Sequence, residues 1–402
     1  MRYSPYLLLA AIVLLSGMHW IGAAQTSPTA LKSTLPGARA IIDAADYPSL
    51  QAALDALPEG GGVVHIPPGE FQINQPLTLS RGDVMIQGSG TATHIKNTNQ
   101  QGQPALVLSP PEGDDSLWRV TLSKLRITGN EMSGHGIVAR SVDEILIEGV
   151  SVSHHGGHGV LLDGCYEDPR IVQSLLTYNG QTGLELAGCH DIVVSANQFE
   201  ENRDALRCAD GFNLCMTGNN LDDHLRHGVI IENTYGSVVS GNMIEECQGT
   251  AILLDRDCYG ITLSANVIAH NFGGGVDLRD AHGCAVSANT FTIVPQRAVV
   301  VGPESGRITI TGNNFSDSQI GDSERRAEDD QSASGIVLDG TSDVAISGNL
   351  FAGLDGPGIG ETEAGSRRVL VTGNVLTQLE EAGNLPEAWR TRANLLPGEQ
   401  TR

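Results

Sequence analysis

Short β-branched runs separated by polar turns recur along this chain with a nearly constant beat. Eight Ser/Thr–Gly/Ala–Asn tripeptides run from Ser195-Ala196-Asn197 to Thr372-Gly373-Asn374, their asparagines 22, 23, 24, 23, 24, 36 and 25 residues apart. An apolar run precedes each tripeptide, as in Ile192-Val193-Val194 or Ile308-Thr309-Ile310, and a second follows some eight residues later, as in Gly183-Leu184-Glu185-Leu186 or Gly228-Val229-Ile230-Ile231. Runs of three to five residues are too short for helices and too short for hairpins with a core of their own. They must therefore stack on their equivalents one repeat away. The gap of 36 marks a repeat that carries an insertion.

Parallel stacking puts equivalent strands ~4.8 Å apart and lets the asparagines form a ladder at a bend that needs left-handed backbone. The expected fold is all-β: a single right-handed parallel β-helix of about a dozen coils over residues 40–376, roughly 55 Å long. A solenoid exposes strand edges at its ends, which need covers. The helical spacing of apolar residues over 48–57 predicts an N-terminal capping helix, residues 377–402 read as a C-terminal cap or tail (a weak helix at most), and 316–333 as an inserted loop.

Residues 1–24 have the charge, apolar core and small-residue exit of a signal peptide, with cleavage expected near Ala24-Gln25, and 25–39 form a linker. A secreted or periplasmic protein is implied, without membrane insertion. The formal net charge of −23 and only three lysines (Lys32, Lys96, Lys124) argue against nucleic acid as a partner. A monomer is expected. Seven cysteines lie within the repeats and none forms a C-x-x-C pair. They read as small buried spacers, although export would permit disulfides.

The entry Gly61-Gly62-Val63-Val64-His65-Ile66-Pro67-Pro68-Gly69-Glu70-Phe71, together with the tripeptide coils, resembles the pectate-lyase-like superfamily of right-handed parallel β-helices. The resemblance implies the fold over residues 40–376 and a polysaccharide as substrate or ligand. That superfamily hosts lyases, hydrolases, epimerases, tailspikes and binding proteins, so the resemblance leaves the chemistry open. The Asp-Pro-His-Asp signature of mannuronan epimerases is absent, Asp168-Pro169-Arg170 being only a fragment of it.

Aligning the repeats predicts surface rows. His135 and His158 are 23 residues apart, as are Asp204 and His227, and each stands just before a strand, so the four are expected in one column. Imidazoles near an aspartate suit general acid–base work. His135, His158, Tyr178, Arg203, Asp204 and His227 are the candidate catalytic residues; His154, His155, Arg207, His224 and Arg226 are candidate substrate contacts. Glu201, Asp223 and Glu246 stack as carboxylates and are candidate ligands for Ca2+. Glu185 and Arg207 are expected as a cross-strand pair.

The leading expectation is a polysaccharide lyase, by β-elimination on a uronic-acid-containing glycan, or a C5-epimerase. Arg203 or a cation on Glu201 and Asp223 would neutralise the carboxylate, His158 or His227 would be the base, and Tyr178 or His135 the acid. A glycoside hydrolase using Asp204, Glu201 and Asp223, and a non-catalytic glycan-binding or periplasmic metal-related protein, remain open.

Overall fold

A computed structural model describes residues 35–320 and 332–379, with short stretches at 324–325, 385–386, 389–392 and 394. The chain winds as one parallel β-helix of about 14 coils, its strands gathered into three parallel sheets of 17, 13 and 12 strands. A coil runs from the 17-stranded sheet through the asparagine corner to the 13-stranded sheet, then round a second corner to the 12-stranded sheet. Val193–Ser195, Gln198–Glu200 and Asp204–Ala209 are one such set. The first strand, Ala40–Asp43, pairs in parallel with Gly62–His65.

The asparagine corner fixes the register. The Oδ1 of Asn266 accepts the backbone N–H and the side-chain Nδ2–H of Asn242, both at 3.0 Å. Its own Nδ2 donates to the Val239 carbonyl and to Asn289 Oδ1, again at 3.0 Å. The pattern continues across the insertion, where Asn313 Nδ2 reaches Asn349 Oδ1 at 3.0 Å. The left-handed residue is the one before each asparagine, with φ between 53° and 68° from Ala196 to Gly373. Only the smallest side chains stand there, which is why the tripeptide reads Gly or Ala in its middle.

Inside the coils, apolar residues line up strand over strand. Phe291, Phe315 and Phe351 stack with ring centroids 4.7 and 4.8 Å apart. Near the N-terminus a six-residue helix, Leu50–Asp55, is capped by the Ser49 side chain and buries Leu50, Ala53 and Leu54. All seven cysteines are unpaired, six of them buried and Cys215 exposed.

Two expectations change. Arg390–Arg392, in the segment read as a weak helix or tail, forms a strand in register with Leu370–Thr372, and Asn394 accepts from Asn374 as a further rung of the ladder. Within the insertion, Gln319–Ile320 pairs antiparallel with Glu324–Arg325. The signal segment 1–24 lies outside the described residues.

Replacing Asn266 by Leu leaves buried partners unsatisfied on both adjacent coils. We expect a stability loss of about 3 kcal/mol or more, read as a lowered unfolding midpoint in denaturant, whereas Asn220→Leu on the half-buried outer face should cost far less.

Candidate functional site

At the second corner, neighbouring residues in sequence face opposite ways. His154, Tyr178, Glu201, Asp223, Glu246 and His270 occupy equivalent left-handed positions, with φ between 46° and 60°. The residue after each turns inward: His155, Asn179, Asn202, His224, Cys247 and Asn271 are all buried. They build a second ladder, in which the His155 N–H donates to Asn179 Oδ1 (3.2 Å), that of Asn179 to Asn202 Oδ1 (3.0 Å) and that of Cys247 to Asn271 Oδ1 (3.0 Å).

His155 and His224, expected as substrate contacts, are therefore corner core, at 1% and 0% exposure. Burial holds their pKa values down at about 3 and about 4, so both imidazoles are neutral.

The outward row divides in two. His154 and Tyr178 stack with centroids 5.1 Å apart, and with His94, Lys96, Thr128 and Glu201 they line a cavity of 730 Å³ beside the 13-stranded sheet. The Tyr178 phenol is held protonated above its ordinary pKa by the charges of Glu200, then by burial and Glu201.

Farther along, donor atoms of Asp222, Asp223 and Glu246 lie within 4.8 Å of one another, as do those of Glu245, Glu246 and His270. Burial and the neighbouring carboxylates raise the pKa of Asp222 and of Glu246. Asp223 and Glu246 of the expected metal set thus come together, with Asp222 as their partner, while Glu201 belongs to neither group.

Across the corner, pairing register puts His135, His158, Thr182, Asp204, His227 and Thr250 in one column at the mouth of the 12-stranded sheet. The rings of His135 and His158 stack at 4.9 Å. Each imidazole Nδ1 accepts the backbone N–H of the next coil: His135 from His158 at 2.9 Å, His158 from Thr182 at 3.2 Å, His227 from Thr250 at 3.0 Å. In a neutral ring the single proton then sits on Nε2. Burial lowers the pKa of His135 and of His158 to about 4 and lowers that of His227 as well. These imidazoles present N–H donors, so the expected base role for His158 or His227 does not fit their proton state.

Asp204 is 2% exposed and held by Arg226, whose Nε and Nη2 donate at 2.8 and 2.5 Å, and by the His227 N–H at 3.0 Å. With both oxygens engaged there, and with Glu201 and Asp223 round the corner, the expected hydrolase carboxylates are not assembled. Arg203 is exposed, and among the described residues its guanidinium makes no hydrogen bond or ion pair; its charge acts on His158.

Next to the column, on the outer face of the 12-stranded sheet, Glu185 and the candidate substrate contact Arg207 form the expected cross-strand pair; sequence reasoning assigned Glu185 no role beyond that pair. Glu185, 6% exposed, is paired with Arg207 and accepts the Thr182 hydroxyl at 3.0 Å. Arg207 also donates through Nε to Glu232 at 2.8 Å. Burial raises the Glu185 pKa above the ordinary carboxylate value despite the guanidinium. Glu185 stands in the same strand offset as Arg207, and its placement among apolar neighbours such as Leu161 and Ile230 was the available signal.

A family model described as "Right handed beta helix region" matches residues 112–291 and 227–391. Among solved structures, the chain is similar to the A-module of the Azotobacter vinelandii mannuronan C-5 epimerase AlgE6 (17% identity, TM-score 0.59, 90% of this chain and 100% of that one). It is also similar to the periplasmic alginate epimerase AlgG (11%, TM-score 0.56, 89% and 84%) and to tailspike protein 3 of bacteriophage CBA120 (12%, TM-score 0.54, 89% and 65%). At such identities the likeness is one of fold. No curated protein matches the sequence.

The column makes acid stability predictable. For a histidine whose folded pKa is lowered, stability is fully present above the ordinary value of 6.5 and is lost as pH falls through that window toward about 4. We expect the unfolding midpoint to drop between pH 6.5 and 4, and the His135→Gln/His158→Gln pair to flatten that slope in thermal melts.

Proposed function

The chain belongs to the right-handed β-helix family, and on that premise we propose that it is a carbohydrate-active protein acting on a uronate-containing glycan laid along the outer face of the 12-stranded sheet. The observation that carries the reading is the column of neutral imidazoles, their Nδ1 atoms held by backbone N–H groups. It stands beside a buried glutamate of raised pKa and an arginine without a protein partner among the described residues. C5-proton abstraction requires a base, a carboxylate neutraliser and an N–H or O–H acid.

In this proposal the incoming sugar displaces the Thr182 hydroxyl from Glu185, the freed carboxylate oxygen takes the C5 proton while the other stays on Arg207, and Arg203 pairs with the uronate carboxylate as charge builds on it. His158 lies on the same side as Glu185, its Nδ1 3.9 Å from the carboxylate: its Nε2–H would protonate the O4 leaving group as the C4–O bond breaks, which is elimination, whereas return of a solvent proton to C5 on the opposite face would be epimerisation. The fold likeness to two epimerases supports the second outcome. The absence of the Asp-Pro-His-Asp signature means that the residues would differ from that pattern. Calcium stays outside the chemical step in the same proposal: Asp222, Asp223 and Glu246 are the groups that would hold it, supplying hard oxygen ligands and relief of their mutual repulsion.

The test incubates the mature protein with polymannuronate, polyguluronate and polygalacturonate, following unsaturated products at 235 nm and C5 inversion by proton NMR. We expect turnover on at least one polymer, reduced about 100-fold or more by Glu185→Gln and, where the product is unsaturated, by His158→Gln. A panel without either product, at full folding, overturns the reading. EDTA is expected to lower the thermal midpoint while leaving the His158→Gln ratio unchanged.

A further inference from the structure

On the corner that leads from the 12-stranded back to the 17-stranded sheet, six successive coils place an aromatic or imidazole ring at the same position: Tyr166, His190, Phe212, Tyr235, Tyr259 and His282. Neighbouring centroids lie 4.6, 4.6 and 5.3 Å apart from Tyr166 to Tyr235. Three of the chain's 7 tyrosines stand here although aromatics make up only 4% of the sequence. Structural need does not account for the row, because Tyr166, Phe212 and Tyr259 are 51%, 41% and 52% exposed. Burying such rings would be favourable, and leaving them in water is a cost that a ligand can recover.

Exposure alternates along the row. The well-exposed rings are two coils apart, about 10 Å, with half-buried His190 and Tyr235 wedged edge-on or tilted between them. A two-coil period matches the disaccharide repeat of an extended β-1,4-linked chain, whose sugar faces turn over at every residue. The rim is acidic: Asp191, Asp210 and Asp257 are exposed beside the rings, Asp191 fixed by Asn213 and Asp210 by Asn233, each at 2.7 Å. Carboxylates so placed repel a polyanion and can accept hydrogen bonds from sugar hydroxyls or amides.

We propose that this stripe is a second glycan-binding surface, separate from the column on the 12-stranded sheet, and that it takes a β-1,4-linked oligosaccharide without acid groups. Its sugars stack on Tyr166, Phe212 and Tyr259 while the rim carboxylates take their hydroxyls.

The experiment titrates the full chain with cellohexaose, N-acetylchitohexaose and a mannuronate hexamer by calorimetry, alongside Phe212→Ala, Tyr259→Ala and His158→Gln. Binding of one of the two uncharged hexamers, weakened about tenfold by each aromatic substitution and unchanged by His158→Gln, is the expected result. Thermal melts check that the exposed-site variants remain folded. The proposal is overturned if neither uncharged hexamer binds, if binding ignores the aromatic substitutions, if the stripe selects the mannuronate hexamer, or if the substitutions change only self-association.

Discussion

Along the described coils from Asn197 to Asn374, the asparagine corner has to satisfy its polar groups with partners on the next coil, since water does not reach them. Strand pairing alone would tolerate a slip of register, because successive strands are chemically alike. The asparagine corner removes that freedom. Each amide accepts two N–H groups from one neighbour and donates to the other, as at Asn266, so a displaced coil would strand several buried groups at once. The rows of side chains on the outside inherit that precision. A column such as His135–His158 exists only because the corner before it is locked.

The same device, moved one corner on, decides the proton state of the imidazoles. Where an imidazole accepts a backbone N–H from the next coil, the fold has chosen its tautomer, and the opposite nitrogen becomes a donor directed away from the ladder. A histidine in a turn looks from sequence like a base of ordinary pKa; held this way and half-buried, it is a neutral donor whose pKa lies at about 4. In the proposed reaction general-base work therefore goes to a carboxylate, and Glu185 is one whose burial has moved its pKa upward beside that column.

Much of the fold was legible because the asparagine corner repeats one chemical solution, and Gly or Ala before the asparagine marks the left-handed residue. The second corner was illegible for the opposite reason. Asparagine, histidine and cysteine all serve as its buried rung, and adjacent residues such as His154 and His155 differ completely in exposure. Row alignment could place His135, His158, Asp204 and His227 at one strand offset, yet it could not show that Thr182 interrupts them or that Arg226 occupies Asp204. The aromatic row lies in the spacing from Tyr166 to His282, but its members share a shape and differ in residue type, so no repeated letter marks it.

Charge distinguishes the faces. At a formal −23 the surface as a whole disfavours a uronate polymer, and a groove for one needs local positive potential. Arg203, Arg207 and Arg226 crowd into two coils on the 12-stranded side, two of them fixed by buried carboxylates and the third unpaired among the described residues. Holding Arg207 between Glu185 and Glu232 costs desolvation, and a hydrophobic trio would stabilise the sheet as well or better. In the proposed function such a network would set charge and proton position in the groove. The aromatic corner is rimmed by Asp191, Asp210 and Asp257, and on the proposed readings the two faces of the solenoid would differ in the charge of the chain they take.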